Sequence, residues 1–317
     1  MRRNFTSYVS RRLLFSCLFL ILSLRVQTVS AQDDTIRVNT DLINIPVTVL
    51  DRDGRYISKL KAGDFRIFED GREQEITLFS TTEVPITVML LFDVSSSITN
   101  RQTADMIKAA NILVQQLRPN DWLMAATYSY HTYPLVKLTK VRDLKSSIKI
   151  ELHPFDAYTL IYDAVAYSQK RMSKVKGRKA LIIFGDGVDS GLAASFKSTV
   201  KTAEEEETLI YTAQIQDYPN PPYTDPEKFA KSVKTATDYM EALARKTGGR
   251  HFMIDDVVNL GAMFGDIGDE LRQQYTLGYY SNQPGKDGER RKITVKVNVP
   301  NVAVRSRNEV VYRKSNR

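Results

Sequence analysis

From Val84 to Phe92 the chain reads VPITVMLLF, without a charge, and then turns abruptly polar as DVSSS. An apolar run this short and this unbroken is a strand buried on both faces, which a parallel sheet sandwiched between helices requires. A second run, KALIIFGDG, behaves the same way: an apolar strand opening into a polar loop. Two such strands exclude a one-sided antiparallel sheet for the middle of the chain.

The segments around them alternate. TNRQTADMIKAANILVQQLRP places Met106, Ala110, Leu113 and Leu117 on one helical face; Thr99 and Gln102 have capping-box spacing, and Pro119 stops the helix. DWLMAATYSY and TYPLVKL read as paired strands, TLIYDAVAYSQKRMSKV and SFKSTVKTAEEEE as helices, and TLIYTAQIQD as a strand. TATDYMEALARKTGG is a helix closed by glycines. RHFMID is the last strand of the set and VNLGAMFGDIGDELRQQY the last helix. The expected fold is α/β, a doubly wound, mostly parallel sheet over residues 84–274, with its strand-to-helix loops gathered on one edge.

Residues 32–83 and 275–317 carry no helical period. LINIPVTVLD alternates, DFRIFEDGREQEITLF gives two short strands around the Asp70-Gly71 turn, and YTLGYYS, RRKITVKVNV and VAVRSRNEVVYR follow at the other end. Neither end is long enough to bury much core alone. One β-sandwich built from both ends, with the α/β domain inserted, is the expected arrangement.

Residues 1–31 have a basic start (Arg2, Arg3, Arg11, Arg12), an apolar stretch from Leu13 to Leu24, and Val29-Ser30-Ala31 before Gln32. This is the pattern of a signal peptide cut after Ala31, and the apolar stretch is too short to span a ~30 Å hydrocarbon core. A secreted or periplasmic protein is expected. The single cysteine, Cys17, leaves with the signal, so no disulfide forms. Five of the 45 Lys and Arg residues leave too, and 40 then stand against 37 acidic residues, a net charge of +3. That balance gives no electrostatic case for nucleic acid. No later stretch is long and apolar enough for a membrane span.

The polar loops carry the chemistry. Asp93, Ser95 and Ser97 are spaced by two, so an extended backbone points all three side chains the same way. HPFDAYTLIYDAV, which leads into a helix, offers Thr159, and FGDG offers Asp186. Two carboxylates and three hydroxyls, completed by water, make an octahedral oxygen shell suited to Mg²⁺ or Mn²⁺. Asp189 and Ser190 read as a helix cap, Asp163 as a group ordering the second loop, and Asp156 as either a support behind the ligands or a merely solvated residue. The Glu204–Glu207 run reads as a solvent-facing one. His131, His153 and His251 have no metal-ligand spacing.

DVSSS followed by TLIYDAV and FGDG resembles the von Willebrand factor type A domain family. Its metal-ion-dependent adhesion site is Asp-x-Ser-x-Ser after the first strand, a threonine from a second loop and an aspartate from a third. The flanks PVTVLDRDGRYISKLKAGDFRIFEDGREQEITLFS and LRQQYTLGYYS with KDGERRKITVKV are similar to the ends of bacterial exported proteins of this kind. Two positions depart from the family pattern: Gly185 stands where threonine is usual, and Tyr158 where glycine is common. The resemblance implies metal-dependent protein binding, in which an Asp or Glu of a partner completes the metal shell. Ser95, Ser97 and Thr159 would be direct ligands and the aspartates would act partly through water.

Two other functions compete. FGDGVDS resembles the acidic loop of Mg²⁺-dependent haloacid-dehalogenase-type phosphatases, with Asp93 as nucleophile, but Ser95 stands where that chemistry needs an aspartate as acid/base. A serine hydrolase is excluded by the lack of a G-x-S-x-G elbow. The third reading is a structural exported scaffold with a lapsed metal site.

Overall fold

The computed structural model describes residues 42–81, 84–150, 158–191, 193–218, 224–254, 260–283 and 285–312. Residues 1–31, read above as a signal peptide, and His153 and Asp156 lie outside the described residues.

At the centre is a six-stranded sheet of β5 (Ile86–Asp93), β6 (Trp122–Tyr128), β7 (Thr132–Lys140), β8 (Arg178–Gly185), β9 (Thr208–Ile215) and β10 (His251–Ile254), in the order β10-β9-β8-β5-β6-β7. All pairings are parallel except β6 with β7. Five helices cover it: α1 (Asn100–Gln116), α2 (Ile161–Met172), α3 (Phe196–Glu205), α4 (Pro226–Thr247) and α5 (Leu260–Gln273). Every residue of β5 is buried, and its side chains divide by parity. Ile86, Val88, Leu90 and Phe92 join Met106, Ala110 and Leu113 of α1 and Phe264, Ile267 and Leu271 of α5. Met89 and Leu91 pack with Ile161, Ala164 and Val165 of α2 and Tyr239, Met240 and Leu243 of α4. Each fully buried Leu, Ile or Phe contributes about 1.5–3 kcal/mol, which is why so apolar a strand sits in the middle.

Local signals set the helix ends. The Thr99 hydroxyl accepts from the Gln102 amide at 3.2 Å, as the capping-box spacing predicts. Gly248 ends α4 at φ +86°, a left-handed conformation that glycine adopts without a Cβ penalty. The same helix begins nine residues before the TATDYMEAL pattern that marks it in the sequence. Asp225 caps it through the Glu227 and Lys228 amides, and Pro226 occupies the first turn.

Residues 43–80 and 275–311 form the expected β-sandwich. One sheet has the order β13-β1-β11-β4, with β1 (Ile43–Leu50), β4 (Leu78–Ser80), β11 (Tyr275–Tyr279) and β13 (Ala303–Ser306). The other has the order β14-β12-β2-β3, with β2 (Phe65–Glu69), β3 (Arg72–Gln74), β12 (Arg290–Val297) and β14 (Glu309–Val311). Ile45, Val47, Ile67, Leu277, Tyr279 and Ile293 fill the space between them. VAVRSRNEVVYR, which reads as one strand in the sequence, divides at Arg307-Asn308. Its first half pairs with β1 and its second with β12, so one segment serves both sheets.

Glu204 corrects the reading of its acidic run as a solvent-facing one. It is 6 % exposed, pairs with Lys246 at 2.6 Å and also with Arg290 of β12. Glu270 of α5, fully buried, accepts from Tyr211 at 2.8 Å and Thr48 of β1 at 3.2 Å and pairs with Arg305 of β13. Carboxylates on the helices thus tie the α/β part to the sandwich. Among the described residues no helix is long and apolar enough to cross a membrane.

Candidate metal centre

The strand order reverses between β5 and β8: the chain leaves β5 for β6 on one side and leaves β8 for β9 on the other. The two loops at the carboxyl ends of these strands therefore part in opposite directions and leave a crevice, the position where open α/β sheets bind ligands. Asp93 closes β5 and Asp186 follows the last residue of β8.

Each aspartate is held by its own loop. Asp93 Oδ1 accepts from the Ser95 amide at 2.9 Å, and Asp186 Oδ1 accepts from the Val188 amide at 2.9 Å. Both are local turns that an aspartate makes with the amide two residues on. The second oxygen of each is left for the cluster. Asp186 Oδ2 accepts from the Ser97 hydroxyl at 2.6 Å, and the Ser97 and Ser95 hydroxyl oxygens lie 3.0 Å apart. Asp93 Oδ2 is buried and has no hydrogen-bond partner. Four of the five predicted residues thus meet in one oxygen cluster, and all four are buried.

Thr159 stands at the same edge, in the loop leading into α2. Its hydrogen bonds run through its backbone: the carbonyl accepts from the Ser190 amide at 2.7 Å, and the amide donates to the Ser190 hydroxyl at 3.3 Å. Ser190 belongs to the loop that carries Asp186. Asp189 is a cap, as the sequence suggests, but of the other helix: it accepts from the Tyr162 amide at the start of α2, at 3.2 Å. Ser195 caps α3 instead. Asp163 orders the third loop rather than the second, accepting from the Ala194 amide at 3.2 Å. The second and third loops therefore hold each other.

Two residues that sequence reasoning missed complete the centre. Tyr128, at the end of β6, is in register with Asp93. Its fully buried hydroxyl donates to the Phe184 carbonyl at 3.4 Å and stands against the Asp93 carboxylate. Gln214 donates to the Asp186 carbonyl at 3.0 Å and is itself held by Thr237 at 2.9 Å. The only signal for either was its place at the carboxyl end of a neighbouring strand. Tyr128 also explains Gly185. A Cβ at position 185 would lie 2.5 Å from the Tyr128 hydroxyl and 2.6 Å from Asp93 Oδ2, so no side chain fits there.

Burial raises the pKa of Asp93, and the Asp186 carboxylate beside it raises it further; burial likewise raises Asp186. Two carboxylates in one dry crevice destabilise each other's charged form. Among the described residues no group of three or more His, Cys, Asp or Glu side chains comes together. The centre is a mixed one, of two carboxylates and hydroxyls.

The chain matches the von Willebrand factor type A domain over residues 87–264, more than half its length, and belongs to that family. Comparison with curated proteins finds no match. Among solved structures, the chain is similar to proximal thread matrix protein 1 from the mussel byssus, with 12% identity, a TM-score of 0.49 and coverage of 71% of this chain and 50% of that one. The present chain thus spans half the length of the byssus protein. A form of that protein with a zinc-occupied MIDAS motif aligns at 13% identity, with a TM-score of 0.46 and coverage of 64% of this chain and 49% of that one. A von Willebrand factor type A protein from Catenulispora acidiphila aligns at 11% identity, with a TM-score of 0.47 and coverage of 87% of this chain and 74% of that one.

Proposed function

We propose that this protein binds a divalent cation, Mg²⁺ or Mn²⁺, at Asp93, Ser95, Ser97, Thr159 and Asp186, and through it a protein partner that presents Asp or Glu. The observation that carries the reading is Asp93 Oδ2, a buried carboxylate oxygen without a partner, next to a second buried carboxylate and two converging hydroxyls. A buried acceptor left unsatisfied costs about 1–3 kcal/mol, and a cation in the crevice removes that cost. The donors are hard oxygens, the kind Mg²⁺ and Mn²⁺ prefer.

Ser95, Ser97 and Thr159 would bind the ion directly, and the aspartates partly through water. When bound, the ion offers an electrophilic position to an incoming carboxylate. The residues keep it so: only two carboxylates come from the chain, which leaves no surplus negative charge to repel a third. The Asp93 and Asp186 turns fix the geometry in advance, and the Tyr128 hydroxyl and Asp93 leave no room for a side chain at Gly185. Nothing in this arrangement breaks a bond, so the reading is a binding module and not an enzyme. In keeping with that, Ser95 occupies the place where aspartyl phosphoryl transfer needs a second acid. The basic and apolar pattern of residues 1–31 supports export to the periplasm or beyond, with Gln32 as the mature N-terminus, which N-terminal sequencing of exported material tests.

The experiment is calorimetric titration of Mn²⁺ and Mg²⁺ into the protein and into the Ser95→Ala/Ser97→Ala variant. Binding by the first and not by the second is expected. Equal binding by both moves the ion elsewhere, and no binding by either brings forward a structural scaffold with a lapsed site.

A further inference from the structure

At one flank of the central sheet, β7 pairs with β6 and, among the described residues, with nothing on its other side. Its outer edge offers backbone N–H and C=O groups, a template for another strand. Its register with β6 shifts on both sides of Val136, which bulges the strand there, and Pro134 lacks an N–H. Beside this edge, between β7 and the last turn of α2, lies a groove of about 510 Å³. It is about 15 Å along α2 from Thr159, judged from the rise of a helix of that length, and so is distinct from the metal centre.

Lys137, Lys170, Arg171 and Lys174 line the groove, no carboxylate does, and none of the four has an acidic partner among the described residues. Leu138 lies among them, 46 % exposed. Tyr167 also lines it: the Arg171 guanidinium stacks 4.4 Å over the ring, and the buried hydroxyl has no hydrogen-bond partner. The groove therefore combines four cations without a carboxylate partner, two of them in the last turn of α2 where they also complement the helix dipole, with an apolar contact and a strand edge.

We propose that the β7 edge and this groove bind an acidic polypeptide segment in extended conformation, which joins the sheet as a further strand. An extended chain alternates its side chains. Acidic residues on the α2 side would meet the four cations, while the backbone pairs with β7. Lysines along an edge discourage apolar strands from pairing there, and an acidic strand is the kind they admit. A lipid surface or a nucleic acid would answer the charge and leave the edge unpaired. The proposal does not depend on the metal centre.

The test is fluorescence anisotropy with a labelled peptide of alternating Glu and Val. The controls are the same peptide with alternate amides N-methylated and a Lys-Val twin. The protein should bind the first peptide and not the twin, and binding should weaken as NaCl rises from about 0.05 to 0.5 M. N-methylation and the exposed double substitution Lys170→Glu/Lys174→Glu should each weaken binding by about tenfold or more. No binding, equal binding of the methylated peptide, or unchanged binding by the substituted protein overturns the proposal.

Discussion

Replacing Asp93 with asparagine separates the cost of this carboxylate from its use. In the metal-free protein Asp93 Oδ2 is buried and unpartnered, and the side chain shares its crevice with Asp186. Asparagine keeps the shape, and its carbonyl can still accept from the Ser95 amide as Asp93 Oδ1 does. It removes the titrating group, so the folded metal-free protein has neither to bury a charge there nor to take up a proton to avoid one. Relief of one unsatisfied buried acceptor is worth about 1–3 kcal/mol. At about 2–4 °C per kcal/mol for a chain of this size, the metal-free Tm should rise by about 2–12 °C. With Mn²⁺ at a hundredfold excess over its Kd, the wild-type protein should gain about 2.7 kcal/mol and the variant nothing. Differential scanning calorimetry with chelator and with Mn²⁺ reads both effects. The substitution should therefore stabilise one state of the protein and abolish stabilisation of the other. A lower Tm for Asp93→Asn in chelator, or a Mn²⁺ gain equal to that of the wild type, would falsify the reasoning.

The same pair of carboxylates predicts a pH dependence. Their folded-state pKa values are raised above the unfolded ones, so the folded metal-free protein holds protons that the unfolded chain has lost. Stability in chelator should fall as pH rises from about 4 through neutrality, and saturating Mn²⁺ should flatten that slope; urea midpoints across the range check it. Gly185→Ala places a Cβ 2.5 Å from the Tyr128 hydroxyl and 2.6 Å from Asp93 Oδ2. It should cost about 1–3 kcal/mol in urea denaturation and weaken Mn²⁺ binding, and unchanged values of both would show the crevice to be looser than described. Glu204→Ala strips Lys246 and Arg290 of a buried partner. A loss of about 1–3 kcal/mol is expected from the same denaturation curves, against about 0.5 kcal/mol or less if the pairs behave as surface ones.

Much of this protein is legible in its sequence because the relevant physics is local. A strand buried on both faces must be apolar along its buried length, and Val88–Phe92 of β5 and Ala180–Phe184 of β8 are. A helix with one buried face must repeat its apolar residues, and α1 shows Met106, Ala110 and Leu113 at that spacing with its capping box in front. The oxygen cluster was readable from its spacing, although the backbone is not extended there as expected: residues 95–98 turn, the Ile98 amide donating to the Ser95 carbonyl at 3.0 Å. Asp-x-Ser-x-Ser fixes three side chains over five residues of backbone, and the turn that orients each aspartate spans only two. Where local signals were passed over, as with Asp225-Pro226 at the start of α4, the reading started the helix late.

Tertiary structure alone decided what meets what. Glu204 looks like one of four solvated glutamates until β12 brings Arg290 to it. Asp189 follows a strand and precedes a helix, yet it caps α2, because that helix comes to rest against its loop. VAVRSRNEVVYR is continuous in sequence and divided in space, since two sheets compete for its backbone hydrogen bonds. Gly185 is the sharpest case. Nothing nearby in the sequence asks for glycine there. The demand comes from Tyr128 and Asp93, two strands that converge on the same few cubic ångströms, and only the folded chain can place them there.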